Sequence, residues 1–143
     1  LFPSSNTFLE KPAPVEPSSQ FNRSGRILVV DDEPDIRFAA FDIFEHLGFE
    51  ALLAADGMEA LARVREHQGK LRLILLDMTM PRMNGVECLK AIREIDPEVP
   101  VLMTSGYSQN ESASELAGLH FNGFLEKPYS LSSLKAKMRE ILG

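Results

Sequence analysis

Five short apolar runs, separated by segments of helix length, constrain this chain more than any other feature. The runs are residues 27–30, 51–55, 71–76, 99–103 and, more weakly, 121–125. They are continuous rather than alternating, the pattern of strands covered on both faces of a parallel sheet. Between them apolar residues recur at the helical period. Ile36, Ala40, Ile43, Phe44 and Leu47 form one stripe, closed by Gly48, a natural helix stop. Leu131, Leu134, Met138, Ile141 and Leu142 form another. Residues 57–67 and 84–95 read as helices, the latter ended by Asp96-Pro97, and the Ser-rich 109–118 is the weakest of the five. Alternation of this kind predicts an α/β fold: a doubly wound, five-stranded parallel sheet with flanking helices.

The chain has 143 residues, enough for one ordinary domain. Residues 1–24 carry Pro3, Pro12, Pro14 and Pro17 among several serines and lack an apolar period. They read as a linker or N-terminal extension, with the folded unit at 25–143. Leu1-Phe2-Pro3 has the look of a cut edge, which predicts excision from a longer protein. Twenty-one acids against fifteen bases give a net charge of −6, so no basic stripe is available for nucleic acid. The longest aliphatic run, 51–55, is far short of the ~20 residues of a membrane span, and no secretory signal is visible. A single cysteine, Cys88, cannot form an internal disulfide and agrees with a reducing compartment. The expectation is a cytoplasmic domain that binds neither nucleic acid nor membrane.

In open parallel sheets ligands bind beyond the carboxyl ends of the strands. There the sequence places Asp31, Asp32 and Glu33 after the first run, Asp77 after the third, Thr104, Ser105 and Gly106 after the fourth, and Glu126, Lys127 and Pro128 after the fifth. Carboxylates so close repel one another and would recruit a cation. Oxygen-only ligands favour a hard divalent ion, and Mg²⁺ fits because it retains waters and substrate phosphate. An Asp beside Mg²⁺, with a Lys and a hydroxyl for phosphoryl oxygens, is an arrangement for phosphoryl transfer onto a carboxylate. Asp77, alone at the end of the central strand, is the natural nucleophile.

The segments Ile27-Leu-Val-Val-Asp-Asp-Glu33, Leu75-Leu-Asp-Met-Thr-Met-Pro81 through Met83-Asn-Gly85, Thr104-Ser-Gly106 and Lys127-Pro128 resemble the receiver domain of two-component response regulators. The resemblance runs over 25–143 in order and register, and implies a flavodoxin-like (βα)5 fold with strand order 2-1-3-4-5. Residue by residue, it implies that Asp77 is phosphorylated from a phosphohistidine. It implies further that Asp31, Asp32, Asp77 and the Thr79 backbone carbonyl hold Mg²⁺, with Asp32 binding directly and Asp31 largely through water. Lys127 and Ser105 would contact the phosphoryl group. Ser105, which precedes the small Gly106 as the motif requires, would act with Phe124 as the switch. Thr79 and Tyr107, two residues past Asp77 and Ser105, would tune dephosphorylation.

Phe124 stands where the family more often has Tyr, so switching there would rely on packing without a phenolic hydrogen bond. The family also implies a cis Lys127-Pro128 bond. Expected partners are a histidine kinase dimerisation domain or a histidine phosphotransfer protein, and the switching face would lie around the 109–118 helix and the last strand. The stretches at 105–108 and 123–128 look most like the C-terminal receiver of a hybrid histidine kinase, whose parent protein can be membrane-attached. A free-standing regulator is the alternative.

Plainer readings stand beside these. Asp-Asp-Glu-Pro can simply start a helix. Met83-Asn84-Gly85 reads as the start of a helix with no role beyond geometry, Cys88 as a packed residue, and His46, His67 and His120 as structural or solvated. Phe38 and Phe41 either widen the first helix's apolar face or form a docking patch for the phosphodonor. A Mg²⁺-dependent phosphohydrolase resembling the haloacid dehalogenases would need an acid where Thr79 stands. No glycine-rich nucleotide loop follows any strand. A pseudo-receiver is hard to reconcile with the complete acid set.

Overall fold

A computed structural model describes residues 25–80, 83–106, 116 and 118–142. Among them lie five strands and four helices: β1 (Arg26–Val30), α1 (Pro34–His46), β2 (Glu50–Ala54), α2 (Gly57–Glu66), β3 (Leu71–Asp77), α3 (Gly85–Ile95), β4 (Val101–Ser105), β5 (Gly123–Glu126) and a C-terminal helix (Leu131–Leu142). All strand pairs are parallel, in the order β2-β1-β3-β4-β5. The expected doubly wound sheet and its strand order are therefore observed. The 1–24 segment and most of the 109–118 helix fall outside the described residues.

The period-2 pleat divides the strand residues between two cores. Leu28, Val30, Ile74, Leu76, Val101, Met103 and Phe124 face α2 and α3. Ile27, Val29, Leu73, Leu75, Leu102 and Leu125 face α1 and the C-terminal helix. Burial on both faces is why the runs read as continuously apolar, each fully buried aliphatic side chain contributing roughly 1.5–3 kcal/mol. The helix stripes behave as their spacing predicts: Ala40 and Phe44 of α1, and Leu134 and Met138 of the last helix, are buried. Cys88 is fully buried on α3, and burial pushes its thiol up to about 12, so it is a packed residue and no nucleophile.

Several boundaries differ from the sequence reading by one or two residues, each for a hydrogen-bonding reason. The fourth run begins at Val99, but Pro100 has no N–H to donate; its carbonyl accepts from the Ile74 N–H at 2.9 Å, and the strand starts at Val101. Val99 is still buried, its carbonyl accepting from the Arg93 guanidinium at 2.7 Å. Ala55 leaves β2 because its N–H donates to the Glu59 carboxylate at 2.6 Å. The fifth strand starts after Asn122, whose side chain accepts from the Val101 N–H at 2.9 Å. Asp77, placed just past β3 by the sequence, is its last residue, in register with Thr104.

Asn84 caps α3 through a full capping box with Glu87, at 2.9 and 3.1 Å. Gly85 follows, its N–H donating to the Met78 carbonyl at 2.8 Å. A Cβ there would lie 2.5 Å from Met78 Cα and against the Asp77 carbonyl oxygen. Only glycine lets α3 start this close to the end of β3. Gly85→Ala is therefore expected to cost roughly 1–3 kcal/mol in urea unfolding. Asn84→Ala, which removes only the cap, should cost about 1 kcal/mol.

Candidate functional site

Strand order reverses between β1 and β3, and the carboxyl ends of those strands flank the crevice this creates. Asp31, Asp77 and Lys127 stand two residues beyond Val29, Leu75 and Leu125, which all face α1 and the C-terminal helix. The ladder holds their backbones: the Asp31 N–H donates to the Ala54 carbonyl at 3.2 Å, the Met78 N–H to that of Thr104 at 2.8 Å, and the Lys127 N–H to that of Ser105 at 2.8 Å. The pleat thus aims three charged side chains from three separate strands at one point.

Asp31 and Asp77 are buried, and Asp32 is half-buried. The three carboxylates each offer an oxygen within 4.8 Å of the others. The Lys127 ammonium lies 3.0 Å from Asp31 Oδ2, 3.0 Å from Glu33 Oε1 and 3.3 Å from Asp77 Oδ2. Asp77 is the least well served. Its Oδ1 accepts from the Thr79 N–H at 3.1 Å, while its buried Oδ2 sits at ion-pair distance from Lys127 yet accepts no well-formed hydrogen bond. Such an oxygen is costly to leave as it is, and a cation or an incoming electrophile would relieve it. The donor set is all oxygen and suits a hard divalent cation.

Burial first, and then repulsion from Asp31, push the Asp77 carboxyl up to about 7, against the pull of the Thr79 N–H and of Lys127. For Lys127, burial alone would lower the ammonium, but Asp31, Asp77 and Glu33 together outweigh it and hold it charged. Burial, followed by the Asp31 charge, pushes the nearby Tyr129 hydroxyl up to about 12.

These groups open onto a cleft of 510 Å³ lined by Asp32, Glu33, Asp77, Thr79, Gly106 and Lys127. Ser105 is buried at the last position of β4, in register with Glu126, and the cleft is lined by its neighbour Gly106. Phe124 is buried on the same sheet face as Met103, two residues before Ser105. Tyr107 lies outside the described residues. The Lys127-Pro128 bond is cis, as the resemblance implied. The histidines take no part in the cleft lining. In the sequence Glu33 is one acid of a run at a helix start; its contact with Lys127, ninety-four residues away, appears only in the folded chain.

Ionising Asp77 destabilises the folded state in the absence of a cation. Its folded value lies above the unfolded 3.8, so the native state holds the extra proton between about 4 and 7, and stability falls as pH rises through that window. Asp77→Asn is expected to raise the melting temperature of the metal-free protein by roughly 5 °C or more at pH 8 and by about half that or less at pH 5. Thermal denaturation in EDTA at the two pH values checks the sign.

Residues 27–139 match the model of the response regulator receiver domain. The chain is 31% identical over 128 residues to the sensor kinase CckA of Brucella abortus, covering 90% of this chain and 14% of that protein. It is 30% identical over 117 residues to sporulation initiation phosphotransferase F of Bacillus subtilis, covering 82% and 93%. A crystal structure of the CheX–CheY–BeF3–Mg²⁺ complex from Borrelia burgdorferi is similar with a TM-score of 0.78 at 28% identity, covering 83% of this chain and 90% of that one. A cluster of acids and one lysine at the switch point of a 2-1-3-4-5 sheet, matched over most of the chain, leads to one assignment: the chain belongs to the response regulator receiver domain family of two-component signalling.

Proposed function

We propose that Asp77 accepts a phosphoryl group from the phosphohistidine of a histidine kinase dimerisation domain or of a phosphotransfer protein. The observation that carries this reading is the buried Asp77 Oδ2, which accepts no hydrogen bond in a cleft it shares with two further acids and an ammonium 3.3 Å away. A carboxylate oxygen of Asp77 forms the bond to phosphorus while the P–N bond of the donor breaks and the imidazole keeps the electron pair. Asp31, Asp32, Asp77 and the Thr79 carbonyl would hold Mg²⁺, which when bound neutralises phosphoryl charge. The carboxylate, oxygen-only donor set fits that ion, and the similar CheY complex contains it. Lys127 would bind a phosphoryl oxygen, and Ser105 would supply a hydroxyl donor. Movement of Ser105 toward the phosphoryl group would leave room for Phe124, on the same sheet face, to repack and change the outer surface.

Thr79, exposed at the cleft, and Tyr107 tune how readily water reaches the acyl phosphate, whose loss the domain itself promotes. Phe41 packs against the core, whereas Phe38 is 55% exposed beneath the Arg37 guanidinium, 5.4 Å from its ring centroid. Phe38 therefore remains as the docking residue of the two. Residues 1–24 would serve as linker and 25–143 as the receiver unit, within a hybrid histidine kinase. The 14% of CckA that this chain spans supports a module of a larger kinase, and the 93% of phosphotransferase F supports a free-standing regulator as the second reading. Phosphohistidine donors are charged from ATP, which places the domain in the cytoplasm. Among the described residues no helix is long and apolar enough to cross a membrane.

Incubation with Mg²⁺ and a small-molecule phosphodonor should add the mass of one phosphoryl group to the intact protein. No adduct should form in EDTA or in Asp77→Asn. Lys127→Ala should slow its formation roughly 10²-fold. A wild-type protein that gains no mass under these conditions overturns the reading.

A further inference from the structure

Glu33 stands apart from the acids around it. Asp31, Asp32 and Asp77 form the oxygen cluster, whereas the Glu33 carboxylate lies on Lys127, with Oε1 3.0 Å from Nζ. The Glu33 side chain is 57% exposed, while the Lys127 side chain it touches is 10% exposed. An ammonium has three protons, and here they face three carboxylates. The longest of the three contacts, 3.3 Å, goes to Asp77, whose Oδ2 accepts no well-formed hydrogen bond.

We propose that Glu33 is a positioning residue that competes with the phosphoryl group for Lys127, drawing the ammonium to the α1 side of the cleft until an anion on Asp77 takes it over. The proposal rests on the reading of Asp77 as phosphoacceptor. A phosphoryl group on Asp77 places more negative charge at that point than a carboxylate does, so one contact of the ammonium is surrendered to it. Asp31 is buried, and losing the ammonium would strand its charge away from water. Glu33 is exposed, and water readily replaces the contact it gives up. It is therefore the exchangeable partner. Its side chain is not needed for the helix start: α1 is capped through the Glu33 backbone, whose carbonyl accepts from the Arg37 N–H at 2.9 Å with no side-chain cap bond, and whose own N–H donates to Asp31 Oδ1 at 2.9 Å.

The test is a ¹⁹F NMR titration with beryllofluoride at saturating Mg²⁺, using wild type, Glu33→Gln and Asp35→Asn. Asp35 is exposed on the first turn of α1 and pairs with no cation among the described residues, so its variant removes one charge nearby without touching Lys127. Glu33→Gln is expected to bind beryllofluoride roughly three- to fivefold more tightly than wild type, the scale of a solvent-exposed ion pair, with Asp35→Asn within about 1.5-fold. Equal shifts in the two variants, or unchanged affinity in Glu33→Gln, overturn the role of Glu33 and leave the Asp77 reading standing. Absence of Mg²⁺-dependent binding in wild type itself overturns both.

Discussion

Burying the Asp77 carboxylate at the end of the central strand is the constraint on which the rest of this structure depends. Left alone there, the charge would be lost to protonation, because a carboxyl away from water and beside Asp31 is driven toward neutrality. Lys127 opposes this, reaching the site from just past the end of β5, two strands away from Asp77 in the sheet. The balance leaves Asp77 poised near neutral pH, with one oxygen that accepts no hydrogen bond. A group in that condition is available both to a cation and to an electrophile, which is what a phosphoacceptor needs.

The scaffold serves this balance by holding backbone atoms, not side chains. Parallel pairing extends one residue past the strands at Asp31, Met78 and Lys127, so the charged groups leave a sheet that is already hydrogen-bonded. Gly85 and the Asn84–Glu87 box fix α3 against the carbonyl side of Asp77. Arg93, on the same helix, ties the carbonyls of His120, Pro97 and Val99 together at the opposite edge of the sheet. The polar edge is thereby placed on a core whose two faces are each filled by alternate residues of the same strands. The contact between Glu33 and Lys127 differs from these: its Glu33 side is exposed, and it is independent of the cap that starts α1.

Much of the fold was legible in the linear pattern. Continuous apolar runs marked doubly covered strands, and the stripes through Phe44 and Met138 marked the helix faces that bury. The charged residues were legible as well, because the ends of parallel strands are where such sheets bind ligands. The limits of elements were harder to see. Val99 is apolar and buried, yet it lies outside β4, since the residue after it lacks an N–H. Ala55 continues an aliphatic run, yet its N–H is captured by a glutamate four residues on. Hydrophobicity reports burial, while a strand ends where its hydrogen bonds go elsewhere.

By itself the sequence determined the α/β class, the two-sided burial of the strands and the convergence of Asp31, Asp32, Asp77 and Lys127 on one edge. Those follow from residue periodicity and from the general placement of ligand sites, both of which are local or topological. Only the tertiary structure decided how one ammonium is divided among three carboxylates, that Asp77 receives the poorest share, and that Glu33 rather than Asp32 holds the third contact. Distances between groups from different strands, and the burial that sets what each charge costs, depend on the packed chain, and no pattern of neighbours along the sequence encodes them.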